Sequence, residues 1–120
     1  KPMKQEAFLL LIKKKLGATA VRYTGRSGSI KHVAVCGGSG AELIGNAVSK
    51  HADVMITADL KYHTFQDFEE KILLVDAGHY ETEHIVLPVL AQKITQILKH
   101  NHHLGKVFTT KHSTNPVHIF

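Results

Sequence analysis

The 120-residue sequence predicts an α/β domain, a layered sheet with mostly parallel core strands and flanking helices. Two observations predict it. Residues 33–36, 54–57 and 72–75 are short continuous apolar runs, the mark of strands buried on both faces. Between them lie stretches whose apolar residues recur at helical spacing. The order is strand, helix, strand, helix, strand, helix, strand, the alternation that crossover helices produce.

Each element has its own signal. Phe8, Leu11, Ile12 and Leu16 fall on one face of a first helix, which Gly17 stops. Residues 19–23 read as a strand and 25–28 as a turn. Ser39 and Glu42 form a capping box after the first apolar run. The helix expected there carries a stripe of Leu43, Ile44, Ala47, Val48 and His51. A second helix, with Phe65, Phe68 and Ile72 inward, follows the run at 54–57. A long helix over 85–100 carries Leu87, Leu90, Ala91, Ile94, Ile97 and Leu98 on one side. Pro88 falls in its first turn, where a missing N–H costs little. Residues 106–110 complete the pattern as a last strand. There is no internal repeat and no low-complexity segment.

Composition narrows the class. One domain of this length buries roughly two-thirds of its unfolded surface. Hydrophobic residues at 43% and charged residues at 21% match a soluble globular protein. The longest apolar run, 7–12, is far short of the roughly 18 residues of a membrane span. It also lacks the cleavage site of a signal peptide. The single cysteine, Cys36, allows no internal disulfide and suits a reducing cytoplasm. The first residues are Lys1-Pro2, so a piece of a longer chain is expected. A net charge of +5 with ten histidines leaves nucleic acid conceivable as a partner. The lysines are scattered, however, and Lys13, Lys14 and Lys15 suit the last turn of a helix.

In open α/β sheets ligands bind beyond the carboxyl ends of the strands. Polar and titratable residues gather at those ends here. Asp59 and His63 follow one run, His79, Glu81, Glu83 and His84 another, and the segment 112–116 the last. His79 and Glu83 are four residues apart, so on a helix both project to one side. An imidazole and a carboxylate suit zinc, manganese, iron or nickel. Two ligands do not close a site, so others must come from elsewhere. Acidic residues complementing a helix N-terminus would explain Glu81 and Glu83, but not His79. His63 is a candidate ligand or neighbour of one, with Asp59 in place to orient it. The run from Gly37 to Gly40 invites an anion at a helix start. It lacks the Lys-Ser/Thr of a Walker loop, and Leu43 replaces the last glycine of the dinucleotide pattern. Cys36 reads as a small core residue and His102-His103 as an exposed connector.

Four stretches, 33–40, 52–63, 76–83 and 113–116, resemble in order and spacing the C-terminal half of the Nif-three-like family. That is the NGG-interacting-factor-three family, also known as GTP cyclohydrolase type-two homologues. The resemblance implies one lobe of a two-lobed α/β fold, with the N-terminal lobe absent from these 120 residues. It also implies a homo-oligomer, a toroidal hexamer, and two divalent metal ions per full-length subunit. His79 and Glu83 match the histidine and glutamate that this half contributes as metal ligands. The remaining ligands lie in the other lobe, and the histidine matched by His63 lies near the metals. Glu81 and His84 depart from the family pattern without touching the ligand positions.

Two functions follow as expectations. One is a metal-binding domain that completes a dinuclear site, in a hydrolase acting on a small nucleotide-like substrate, with His63 moving a proton. The other is a non-enzymatic oligomeric scaffold or regulatory protein, in which nucleic acid is a conceivable partner. A nucleotide-binding domain built on the turn from Gly37 to Gly40 is a third and weaker reading.

Overall fold

A computed structural model describes residues 1–25 and 28–119. Two central strands hold the fold together. β3 (Val54–Ala58) and β4 (Leu73–Asp76) are parallel neighbours, and every residue in both is buried. β2 (Val33–Ser39) runs parallel to β3 on one flank, and β1 (Arg22–Thr24) runs antiparallel to β4 on the other. The strand order is therefore β1-β4-β3-β2.

Alternation along β3 and β4 divides the core into two layers. Val54, Ile56, Leu73 and Val75 face one side, with Phe8 and Ile30. Met55 and Leu74 face the other, with Ile44, Leu60 and Ile72. Helix α1 (Gln5–Leu16) covers the first layer through Phe8 and the half-buried Leu9, Ile12 and Leu16. It ends at Gly17, whose φ of 64° suits a residue without a Cβ. Helices α2 (Ile44–Ser49) and α3 (Tyr62–Phe68) cover the second layer, the latter through Phe65 and Phe68. Each is short. The helix α4 (His79–Glu83) follows β4, and α5 (Val86–His100) follows α4.

Several sequence expectations need correction. The run at 33–36 is not buried on both faces. β2 is an edge strand, and Val33 and Val35 are 45% and 71% exposed. The cause is the position of α1, which packs over the two central strands and leaves the outward side of β2 open. The Ser39–Glu42 capping box does not form, because Ser39 is still in the strand. A 3-10 turn, Ala41–Leu43, begins at Gly40 instead and runs into α2 with no side-chain cap. His51 leaves the helical stripe, being exposed at φ 55°. The strand expected at 19–23 starts only at Arg22. Residues 106–110 form no strand, and Phe108 is 85% exposed. Part of the turn expected at 25–28 lies outside the described residues.

Helix α5 buries none of its residues, although Leu87, Leu90, Ile94 and Ile97 form a continuous apolar seam. The radius of gyration is 17.0 Å. A compact chain of this length would have about 14 Å. Among the described residues no helix is long and apolar enough to cross a membrane.

Two carboxylates brace the sheet. Asp76 ends β4, is 6% exposed, and pairs with Arg22 directly across the β1–β4 ladder. Asp53 precedes β3, and its Oδ2 accepts the backbone N–H groups of His32 at 2.7 Å and Lys31 at 2.8 Å. The N–H of His32, then that of Lys31, holds the Asp53 carboxyl below its usual value. A carboxyl lowered in this way stabilises the fold above its unfolded pKa. That contribution disappears as pH falls through the lowered value. Asp53→Ala should therefore cost about 1–2 kcal/mol at neutral pH, the worth of such charged hydrogen bonds. In thermal unfolding the difference from wild type should narrow as pH falls below about 4, the ordinary carboxyl value reached in the unfolded chain, and close as pH passes through the lowered folded value.

Candidate metal centre

The carboxyl ends of β2, β3 and β4 meet at the start of α4. Gly78 precedes α4 with φ 90° and ψ 141°. Thr82, one turn on, returns its hydroxyl to the Gly78 carbonyl at 2.9 Å and accepts the Gly38 N–H at 2.9 Å. The buried Thr57 hydroxyl donates to the Gly38 carbonyl at 2.9 Å. Both polar backbone groups of Gly38 are thus satisfied, one by α4 and one by β3. The anion expected at this glycine run does not find the Gly38 N–H free.

The helical spacing brings His79 and Glu83 together as expected. Nε2 of His79 lies 3.2 Å from Oε1 of Glu83. Nδ1 of His79 lies 2.6 Å from Oδ2 of Asp59. Asp59 comes from the loop after β3, where its φ of 57° turns the chain sharply. The sequence suggested Asp59 as a support for His63, and the structure gives it to His79. An ionised carboxylate only accepts, so the proton sits on Nδ1 and the Nε2 edge faces Glu83. Gly38 is what leaves room for this pair. It has φ 64°, and a Cβ there would overlap Glu83 Oε1 and lie 3.2 Å from His79 Nε2.

This arrangement fits a divalent ion. A carboxylate behind a histidine fixes the tautomer and strengthens the ligating nitrogen. The nitrogen and oxygen donors then face one gap. In the absence of metal the same gap favours a proton. Asp59, then the charge of Glu83, holds the His79 imidazole above its usual pKa. A metal ion bound at Nε2 would have to displace that proton. The donors present do not complete a coordination sphere, since no three His, Cys, Asp or Glu among the described residues are placed to hold a metal.

Two clefts flank His79. One, of about 450 Å³, is mixed in polarity and includes Arg22, Asp76 and Glu81. The other, of about 520 Å³, is largely apolar and includes Glu83, Leu87 and Pro116. The segment 114–119 contributes to the walls of both, and Asn115 Nδ2 donates to Glu81 Oε1 at 3.1 Å. His84 stacks on Tyr80 with ring centroids 4.7 Å apart. His63 stands exposed on α3 with Nδ1 3.4 Å from Gln66 Oε1, and none of its polar contacts among the described residues reaches His79 or Glu83. Cys36 is half-buried against the second core layer. His102 and His103 are exposed beyond α5, as expected of a connector. Sequence reasoning missed the pairing of Asp59 with His79, for which the left-handed turn leaves no sequence signature beyond the residue type.

The His79 environment can be read by titration. In metal-free protein its imidazole should titrate above the ordinary value, and Asp59→Asn should bring it down, as followed by histidine NMR signals. Any stability this raised group lends is present below its unfolded pKa and lost as pH rises through the folded one.

The family model described as Duf34/NIF3 (NGG1p interacting factor 3) matches residues 1–116. A Bacillus subtilis (strain 168) protein named GTP cyclohydrolase 1 type 2 homolog is 36% identical over 116 residues, which are 95% of this chain and 31% of that protein. A Streptococcus pneumoniae protein of the same name is 39% identical over 90 residues, or 74% of this chain and 34% of that one. The crystal structure of Staphylococcus aureus protein SA1388 matches with a TM-score of 0.93 at 30% identity, covering 100% of this chain and 39% of that chain. The chain spans about a third of the length of the curated relatives it matches.

Proposed function

Because this chain belongs to the Duf34/NIF3 family, we propose that it supplies His79 and Glu83 to a dinuclear metal site completed by another lobe of a longer protein. The reading takes that protein to be a metal-dependent hydrolase of a nucleotide-like substrate, the class suggested by the relatives' name, GTP cyclohydrolase 1 type 2 homolog. The observation that carries it is the pairing of Nε2 with Glu83 Oε1 at 3.2 Å while Asp59 occupies Nδ1.

His79 and Glu83 are the residues that would hold metal, as zinc, iron, manganese or nickel. Bound divalent ions would lower the pKa of a water and stabilise developing negative charge. Asp59 keeps the His79 ring turned so that Nε2 faces the gap. Gly38 keeps the gap open. His63 is the proton carrier in this reading and stands apart from the pair, so it acts in turnover and not in metal retention. The lone cysteine supports a reducing cytoplasm as the setting.

A second reading is an oligomeric scaffold, and the exposed seam of α5 favours it. Large apolar patches on a soluble protein mark surfaces that meet a partner. The partners are then the remaining lobe and further copies, up to the hexamer implied by the resemblance. A nucleic-acid partner would show as steeply salt-dependent binding.

Elemental analysis of the full-length protein separates these readings. Wild type should carry about two metals per subunit, lost in His79→Ala/Glu83→Ala while circular dichroism stays unchanged. His63→Ala should keep the metal and lose turnover only. Equal metal in wild type and the double variant would remove His79 and Glu83 from the site and leave the scaffold reading.

A further inference from the structure

We propose that Asp76 is a positioning residue for this site, holding in one fixed relation the two loops that present Asp59 and His79. The inference rests on the metal-site reading and names what aligns its histidine. Asp76 is 6% exposed and lies at the end of β4. Its Oδ2 accepts the N–H of Leu60 at 3.0 Å, and its Oδ1 accepts the N–H of Gly78 at 3.1 Å. Leu60 follows Asp59 and Gly78 precedes His79. One carboxylate therefore ties the residue after the supporting acid to the residue before the ligand.

Both tied loops are conformationally demanding. Asp59 sits at φ 57° and Gly78 at φ 90°. The left-handed region is unfavourable for a residue with a Cβ and persists only where surrounding contacts enforce it. The Leu60 N–H bond to Asp76 is such a contact. Released from it, Asp59 would relax, and the 2.6 Å contact to Nδ1 would open with it.

Arg22 completes the arrangement from the neighbouring strand. Its guanidinium bonds Asp76 Oδ2 and also donates to the Leu60 carbonyl at 3.0 Å. Its charge centre stands 5.4 Å from the Phe65 ring centroid. Arg22 thus bonds both the loop and the carboxylate that holds it, and neutralises a carboxylate that would otherwise be buried without a counter-charge. Three donors converge on Asp76, so only an acceptor-only side chain fits. An asparagine of the same shape would turn two N–H groups toward donors.

The test measures zinc affinity of the full-length protein by competition with a chromophoric chelator, in Asp76→Asn, Asp59→Ala and the double variant. Asp59→Ala should weaken zinc binding about 10–100-fold, as loss of a carboxylate behind a ligating histidine does. Asp76→Asn should weaken it about 10-fold. The double variant should be no weaker than Asp59→Ala alone, because both act through one contact. Affinity losses that multiply, or an Asp76→Asn protein that binds zinc like wild type, would overturn the proposal. Should Asp76→Asn fail to fold, Arg22→Lys, which keeps the charge and loses the double grip, is put through the same cycle with the same criterion. Hydrogen exchange read by mass spectrometry supplies a metal-free measurement. Asp76→Asn should lose amide protection in peptides spanning 58–62 and 77–80, but not in α1. Unchanged protection at both loops overturns the clamp. If wild type binds no zinc, the metal reading fails and this exchange pattern decides the clamp by itself.

Discussion

Burial of β3 and β4 on both faces is the constraint on which the molecule is built. Parallel strands cannot be joined by a tight turn, so each must be followed by a crossover that leaves from its carboxyl end. The loops after β2, β3 and β4 therefore emerge at one edge, and polar residues collect there, beyond two buried strands that are apolar except for Thr57 and Asp76. Gly38 near the end of β2, Asp59 in the loop after β3 and His79 at the start of α4 meet because their strands are neighbours. Residues of each central strand alternate between two layers, so a one-residue slip would exchange the layers and dislocate the site with them.

At the site itself, the smallest side chain matters as much as the donors. Gly38 has its N–H fixed by Thr82 and its carbonyl by Thr57. That brings α4 against the sheet closely enough for Glu83 to lie over bare backbone. A backbone position with two satisfied groups and no Cβ acts as a floor, and the floor sets where the Glu83 carboxylate stands. The Nε2 edge of His79 faces that carboxylate at 3.2 Å.

The parts legible in the sequence were those with local periodicity or long apolar runs. The central strands, α1 with its Gly17 stop, and α5 with Pro88 in its first turn follow from patterns of a few residues. The His79 and Glu83 pairing was legible because i and i+4 on any helix face the same way. What depends on neighbours across the sheet was not. An apolar run such as 33–36 looks the same in a central strand and at an edge, and only the placement of α1 decides between them. The capping box at Ser39 and Glu42 was a sound local signal overridden by pairing of Ser39 with Ala58 in the sheet. The run at 106–110 has strand-like residues but finds no strand to join. The partner of Asp59 was hidden because a single residue in a left-handed turn redirects its side chain, and residue type alone does not disclose that turn.

The exposed seam of α5 has a consequence for the life of the chain in a cell. A helix showing Leu87, Leu90, Ile94 and Ile97 to water looks, to chaperones and proteases, like a protein that has not finished folding. Until that surface is covered, such a chain is a substrate for triage.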